Sequence, residues 1–107
     1  LLFEQQYTEL ATAVDTIAER IRALGDKAPG SYAAFARLSS VKDAEGDPDA
    51  TEMLKTLTAD HRIVAERANK VLKLAAGHED EGTAAIASER IEIHEKAAWM
   101  LSAHLGD

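Results

Sequence analysis

The sequence predicts an all-α protein built from three long amphipathic helices and one short helix. Two observations carry this reading. Along most of the 107-residue chain, apolar side chains recur at alternating steps of three and four, the spacing of a single helix face. Apolar residues make up 46% of the chain and aromatic residues only 5%, and the apolar set is dominated by alanine and leucine, a composition suited to a helical bundle.

The elements follow in order. Phe3, Tyr7, Leu10, Val14, Ile17, Ile21 and Leu24 form the first seam, and Gly25 stands where a helix end needs a left-handed residue. No capping residue precedes "LLFEQQ", so this helix reads as already in progress and an upstream segment is expected. "DKAPGS" is a turn in which Pro29 and Gly30 are breakers and Ser31 is a capping candidate. "SYAAFARL" forms a helix of about two turns that presents Tyr32, Phe35 and Leu38. "SSVKDAEGDP" is a polar connection without periodicity, and its acidic pairs Asp43/Asp47 and Glu45/Asp49 read as solubilising loop charge.

Asp49 and Glu52 then make a capping-box pattern. It opens a helix to about Ala76 with the seam Leu54, Leu57, His61, Val64, Ala68, Val71 and Ala75. "GHEDEG" breaks it. The last helix runs from about Thr83 to His104, with Ile86, Ile93, Ala97, Met100 and Leu101 on its apolar face and Trp99 as a packing residue.

Composition narrows the function classes. The chain has no cysteine, which excludes disulfides, thiolate metal sites and a thiol nucleophile. No apolar run reaches the roughly 18 residues of a membrane span, and no signal peptide is visible, so a cytoplasmic protein is the expectation. The net charge of −7 opposes DNA binding through the general surface and favours cations, although such charge also serves solubility.

Three helices of roughly 22–28 residues would be roughly 33–42 Å long. Long helices joined by one extended crossover are the plan of ferritin-like four-helix bundles. Three long helices, with the short one inside the crossover, fit such a bundle lacking its first helix.

Within the first helix, Glu4 and Asp15 point in directions only about 20° apart, and Glu19 lies about 40° further round. Small residues, Thr8, Ala11 and Thr12, lie between them on this stripe. Like charges one turn apart repel by a few tenths of a kcal/mol, about the scale of an exposed pair, unless a cation compensates. Two carboxylates so placed can converge on one metal, and Fe(II) accepts carboxylate together with imidazole. A solvated face is the commoner origin of such spacing, and on spacing alone both readings stand. No helix carries Glu-x-x-His, the in-chain motif of di-iron bundle sites, so any iron site must take its imidazoles from elsewhere.

The stretch "VDTIAERIRALGDKA", Val14 to Ala28, resembles the signature of the Dps family, the mini-ferritins named DNA-binding proteins from starved cells. Val14, Asp15, Ile17, Ala18, Glu19, Arg20, Leu24, Gly25 and Ala28 meet that pattern at fixed spacing. The short helix in the crossover and "HEKAAWML" extend the resemblance over the whole chain. It implies a hollow dodecamer in which twofold-related subunits share each ferroxidase centre. Two histidines and a following acid come from one subunit, and the signature Asp and Glu come from its neighbour. On this basis Asp15 and Glu19 are the catalytic metal ligands of one side and Glu4 the ligand of the other. The histidine preceding Glu4 would stand immediately before Leu1. Fe(II) would be oxidised, preferably by hydrogen peroxide, and Fe(III) stored in the cavity, which limits hydroxyl-radical formation.

The remaining histidines carry less. His61 lies on an apolar seam without an acidic residue one turn away, and His94 has no metal spacing; both read as structural. His104 reads as solvated. His78, Glu79, Asp80 and Glu81 suit either the acidic threefold pores of the family or solvated turn charge. Family members often bind DNA through basic terminal extensions; this chain has no basic C-terminal tail and its N-terminal segment is expected upstream, so DNA as a partner, with nucleoid association, stays open but unsupported by this acidic chain. The alternative function is a ferritin-like shell or DNA-protecting protein with little ferroxidase activity.

Overall fold

The computed structural model describes residues 1–44 and 46–106. Among these are four helices and no strand: α1 Leu2–Ala23, α2 Tyr32–Leu38, α3 Ala50–Gly77 and α4 Glu81–His104. This is the predicted plan of three long helices with a short one in the crossover. Glu45, half of the Glu45/Asp49 pair, lies outside the described residues. The chain divides into two compact units, Leu1–Ser39 and Ser40–Asp107.

In the first unit, α1 starts at Leu1 without a side-chain cap, and its end is sharply defined. The Gly25 N–H donates to the Arg22 carbonyl at 3.0 Å, and the Asp26 N–H reaches back to the Ile21 carbonyl at 3.2 Å. This Schellman closure requires a left-handed residue, and Gly25 supplies φ +96°. Arg20 and Arg22 in the last turn complement the helix dipole. The Ser31 hydroxyl caps α2 by accepting from the Ala34 N–H at 3.2 Å, and Tyr32 meets Phe35 edge to face. The predicted α1 seam is open along much of its length: Tyr7 is 77% exposed, Val14 62% and Phe3 48%.

In the second unit, the capping box forms as predicted. The Glu52 N–H donates to Asp49 Oδ1 at 2.8 Å, and the Asp49 N–H donates to Glu52 Oε2 at 3.3 Å. The far end of α3 closes like that of α1. The Glu79 N–H donates to the Ala76 carbonyl at 3.2 Å, and the Asp80 N–H to the Ala75 carbonyl at 2.8 Å. Here the left-handed position is held by Glu79, φ 59°, rather than by a glycine. Asp80 then caps α4: Oδ1 accepts the Thr83 N–H at 3.1 Å and Oδ2 the Thr83 hydroxyl at 2.6 Å. That cap starts α4 at Glu81, two residues before the sequence-based boundary.

So short a link sets α3 and α4 antiparallel, as a helical hairpin. The buried apolar side chains of this unit are mostly small. Ala65, Ala75, Ala87, Ala97 and Ala98 are buried, and Leu101 is fully enclosed. Two expectations are corrected. Val71 is 46% exposed, because a straight helix drifts by about 20° per heptad and Leu72 has turned inward in its place. Trp99 is 68% exposed and does not pack in the interface; the buried neighbour is Ala98, and an alanine-lined contact has no room for an indole. No helix among the described residues is long and apolar enough to cross a membrane.

The two helix ends make a matched test. Gly25→Ala should cost about 1 kcal/mol, since it puts a side chain in the left-handed region. Glu79→Gly should stabilise by a similar amount, about 1 kcal/mol, by relieving the same strain. Equilibrium denaturation of the full-length protein reads both, and equal signs would refute the assignment.

Candidate metal centre

Because α1 is continuous, Asp15 and Glu19 sit one turn apart, about 6 Å along the axis. Both are exposed. The face that leads up to Asp15 is low: Thr8, Ala11 and Thr12 are exposed as well, and the Thr12 hydroxyl turns back to donate to the Thr8 carbonyl at 3.3 Å. Another surface can therefore approach the two carboxylates closely.

Glu4 lies on the same stripe but elsewhere along it. Eleven residues of helix separate it from Asp15, about 16 Å of rise. Oxygen ligands stand about 2.0–2.6 Å from a hard cation, so Glu4 and Asp15 of one chain cannot grip the same ion. Glu4 lines its own open depression with Gln5, Thr8, Glu9 and Thr12. Among the described residues no three His, Cys, Asp or Glu side chains come together to hold a metal. One chain thus brings two of the three predicted ligands onto one turn of helix and sets the third apart from them.

The four histidines and the acidic residues of the α3–α4 turn fall into two groups. His78, Glu79, Glu81 and His104 are exposed, and Asp80 is engaged in capping α4. His61 and His94, by contrast, are 7% and 3% exposed and joined to each other, Nδ1 to Nδ1, at 2.8 Å. Arg90, 7% exposed, bonds the far side of His94, with Nε at 3.2 Å and Nη2 at 2.8 Å from His94 Nε2. Beside them Asp60 is half-buried; burial pushes its carboxyl above the ordinary range, and the neighbouring His61 partly offsets this. Sequence reasoning placed both histidines in structural roles without joining them. The available signal was the i, i+4 spacing of Arg90 and His94, which puts them on one helix face.

A family described as the ferritin-like domain matches residues 1–107. An uncharacterized low temperature-induced protein of Nostoc sp. is 37% identical over 102 residues, 94% of this chain and 57% of that protein. The DNA protection during starvation protein 2 of Bacillus anthracis is 34% identical over 103 residues, 96% of this chain and 70% of its own. The solved structure of the Dps protein from Vibrio cholerae O1, described as a member of a broad superfamily of ferritin-like diiron-carboxylate proteins, aligns with a TM-score of 0.91 at 32% identity. That match covers 96% of this chain and 65% of the other. The chain thus spans little more than half the length of the Nostoc relative.

Proposed function

Since this chain belongs to the ferritin-like family and, within it, to the Dps proteins, we propose that it is a subunit of an iron-oxidising, iron-storing assembly in which Asp15 and Glu19 supply half of each oxidation site. The observation that carries this reading is the Asp15/Glu19 pair itself: two exposed carboxylates one turn apart on a rigid helix, flanked by small side chains. Carboxylate oxygens suit Fe(II), particularly with imidazole completing the sphere.

The helical rise between Glu4 and Asp15 supports a site shared by two copies. In this reading, Asp15 and Glu19 of one subunit face Glu4 of a twofold-related subunit, with histidines from the latter's preceding helix. Iron is the substrate and the cargo. Two Fe(II) ions each give one electron; the O–O bond of hydrogen peroxide takes both and breaks, and two protons complete two waters. Drawing both electrons within one site avoids one-electron cleavage of peroxide, the route to hydroxyl radical. The protein's part is to hold two ions close together; the electron transfer belongs to the metal. The open seam of α1 fits this scheme, since exposed apolar stripes mark protein contacts; a further helix and neighbouring copies of a hollow dodecamer would cover it. The net charge of −7 favours Fe(II) over DNA at the surface, so protection of DNA would come from removing peroxide and free Fe(II).

In the full-length protein, Asp15→Ala/Glu19→Ala should slow peroxide-dependent Fe(II) oxidation by at least about tenfold, the scale on which metal sites respond to loss of supporting groups. Assembly should persist; an unchanged rate would remove both residues from the site. Analytical ultracentrifugation should give the mass of a dodecamer, and a stable monomer would contradict the shared centre.

A further inference from the structure

We infer that the groove between α3 and α4 beside Trp99 is a contact surface for a second copy of this chain, in which the basic stripe of α3 meets the acidic stripe of that copy's α4. The inference rests on the proposed assembly and identifies a second surface that builds it.

The two stripes follow from helical register. Residues seven and eleven apart lie on nearly the same face of an α-helix, and steps of three and four stay close to it. On α3, Lys55, Arg62 and Lys73 recur at steps of seven and eleven, and Glu66 is the one acid among them. On α4, Glu81 and Glu92 are eleven apart, and Glu95 and Trp99 follow at steps of three and four, with no base on that stripe. All of these side chains are exposed. The stripes border one groove of about 690 Å³, lined by Arg62 and Glu66 from α3 and by Glu95 and Trp99 from α4. Its floor holds Ala65 and Ala98, both buried, and side chains this small leave depth for a neighbour's. Trp99 is 68% exposed. An exposed indole over an alanine floor, with charge at the rim, is the make-up of a protein contact: an aromatic anchor within a polar border.

Charge selects the occupant. The chain carries −7, so a copy approaching with its general surface is repelled. A copy that lays its Glu81, Glu92 and Glu95 along Lys55, Arg62 and Lys73 meets opposite charge at several points, which favours and orients the encounter. That copy's own α3 stripe stays available for a third, so the contact runs head to tail, the kind that closes rings. The assembly requires such a contact. The twofold contact proposed at Asp15 and Glu19 is isologous and is used up in a pair; growth from a pair to a dodecamer needs a second surface.

Analytical ultracentrifugation of the full-length, iron-free protein tests that surface. Arg62→Glu/Lys73→Glu turns the α3 stripe acidic and should reduce the dodecamer to dimers, because like charges facing each other across a contact oppose it. Adding Glu92→Lys/Glu95→Lys reverses the other stripe and should restore the dodecamer. Circular dichroism checks that each variant keeps its helices. A dodecamer that survives Arg62→Glu/Lys73→Glu overturns the inference and leaves the proposed function standing. Dimers that the second pair of substitutions does not rescue overturn the pairing of the two stripes. An unmodified protein that never exceeds a dimer contradicts the proposed assembly itself. Trp99 supplies a readout that needs no variant: in the unmodified dodecamer it should be protected from hydroxyl-radical labelling. Labelling at the rate of an exposed indole overturns the inference.

Discussion

The hydrogen bond between His61 and His94, Nδ1 to Nδ1 at 2.8 Å, ties α3 to α4, and Arg90 bonds the far side of His94 from within α4. The alanines that surround it contribute close approach but little direction: a smooth alanine face packs almost equally well after a small slide. A hydrogen bond that must meet one ring nitrogen, and a second that must cross to His61, fix both register and rotation. Buried polar groups are known to act in this way where apolar packing alone leaves alternatives.

Much of the backbone plan was legible because its signals are local. The Asp49/Glu52 capping box, the Ser31 cap and Gly25 each act within a few residues, so spacing alone revealed them. The Glu79 turn was not, since its hydrogen bonds to Ala75 and Ala76 are those of a glycine-type closure made without glycine. Trp99 and Val71 were misplaced for a packing reason: a three-and-four repeat defines a stripe but not which edge of it turns inward, and only contact with an alanine-rich partner decides that. The link between His61 and His94 joins residues 33 apart, beyond any periodicity argument.

The candidate metal centre was legible in part. The spacing of Asp15 and Glu19 marked a place where two carboxylates share a helix face, but the same spacing serves a solvated surface equally well. What separates the readings is a second set of ligands, and no local pattern can supply groups that one chain does not bring together. The resemblance across Val14 to Ala28 pointed to a neighbouring subunit, while the length of helix between Glu4 and Asp15 keeps the two from holding one ion within a single chain. Length also explains why composition was silent: an acidic chain with net charge −7 can be a soluble bundle with no metal chemistry at all.

The position of Asp15 and Glu19 within α1 has a kinetic consequence. Helices fray from their ends, where the terminal turns open at little cost in free energy. Glu19 is followed by Arg20–Ala23 and then by the Gly25 closure, and Asp15 lies a turn deeper. The pair therefore holds its one-turn spacing for longer than the terminal turn that follows it holds its own.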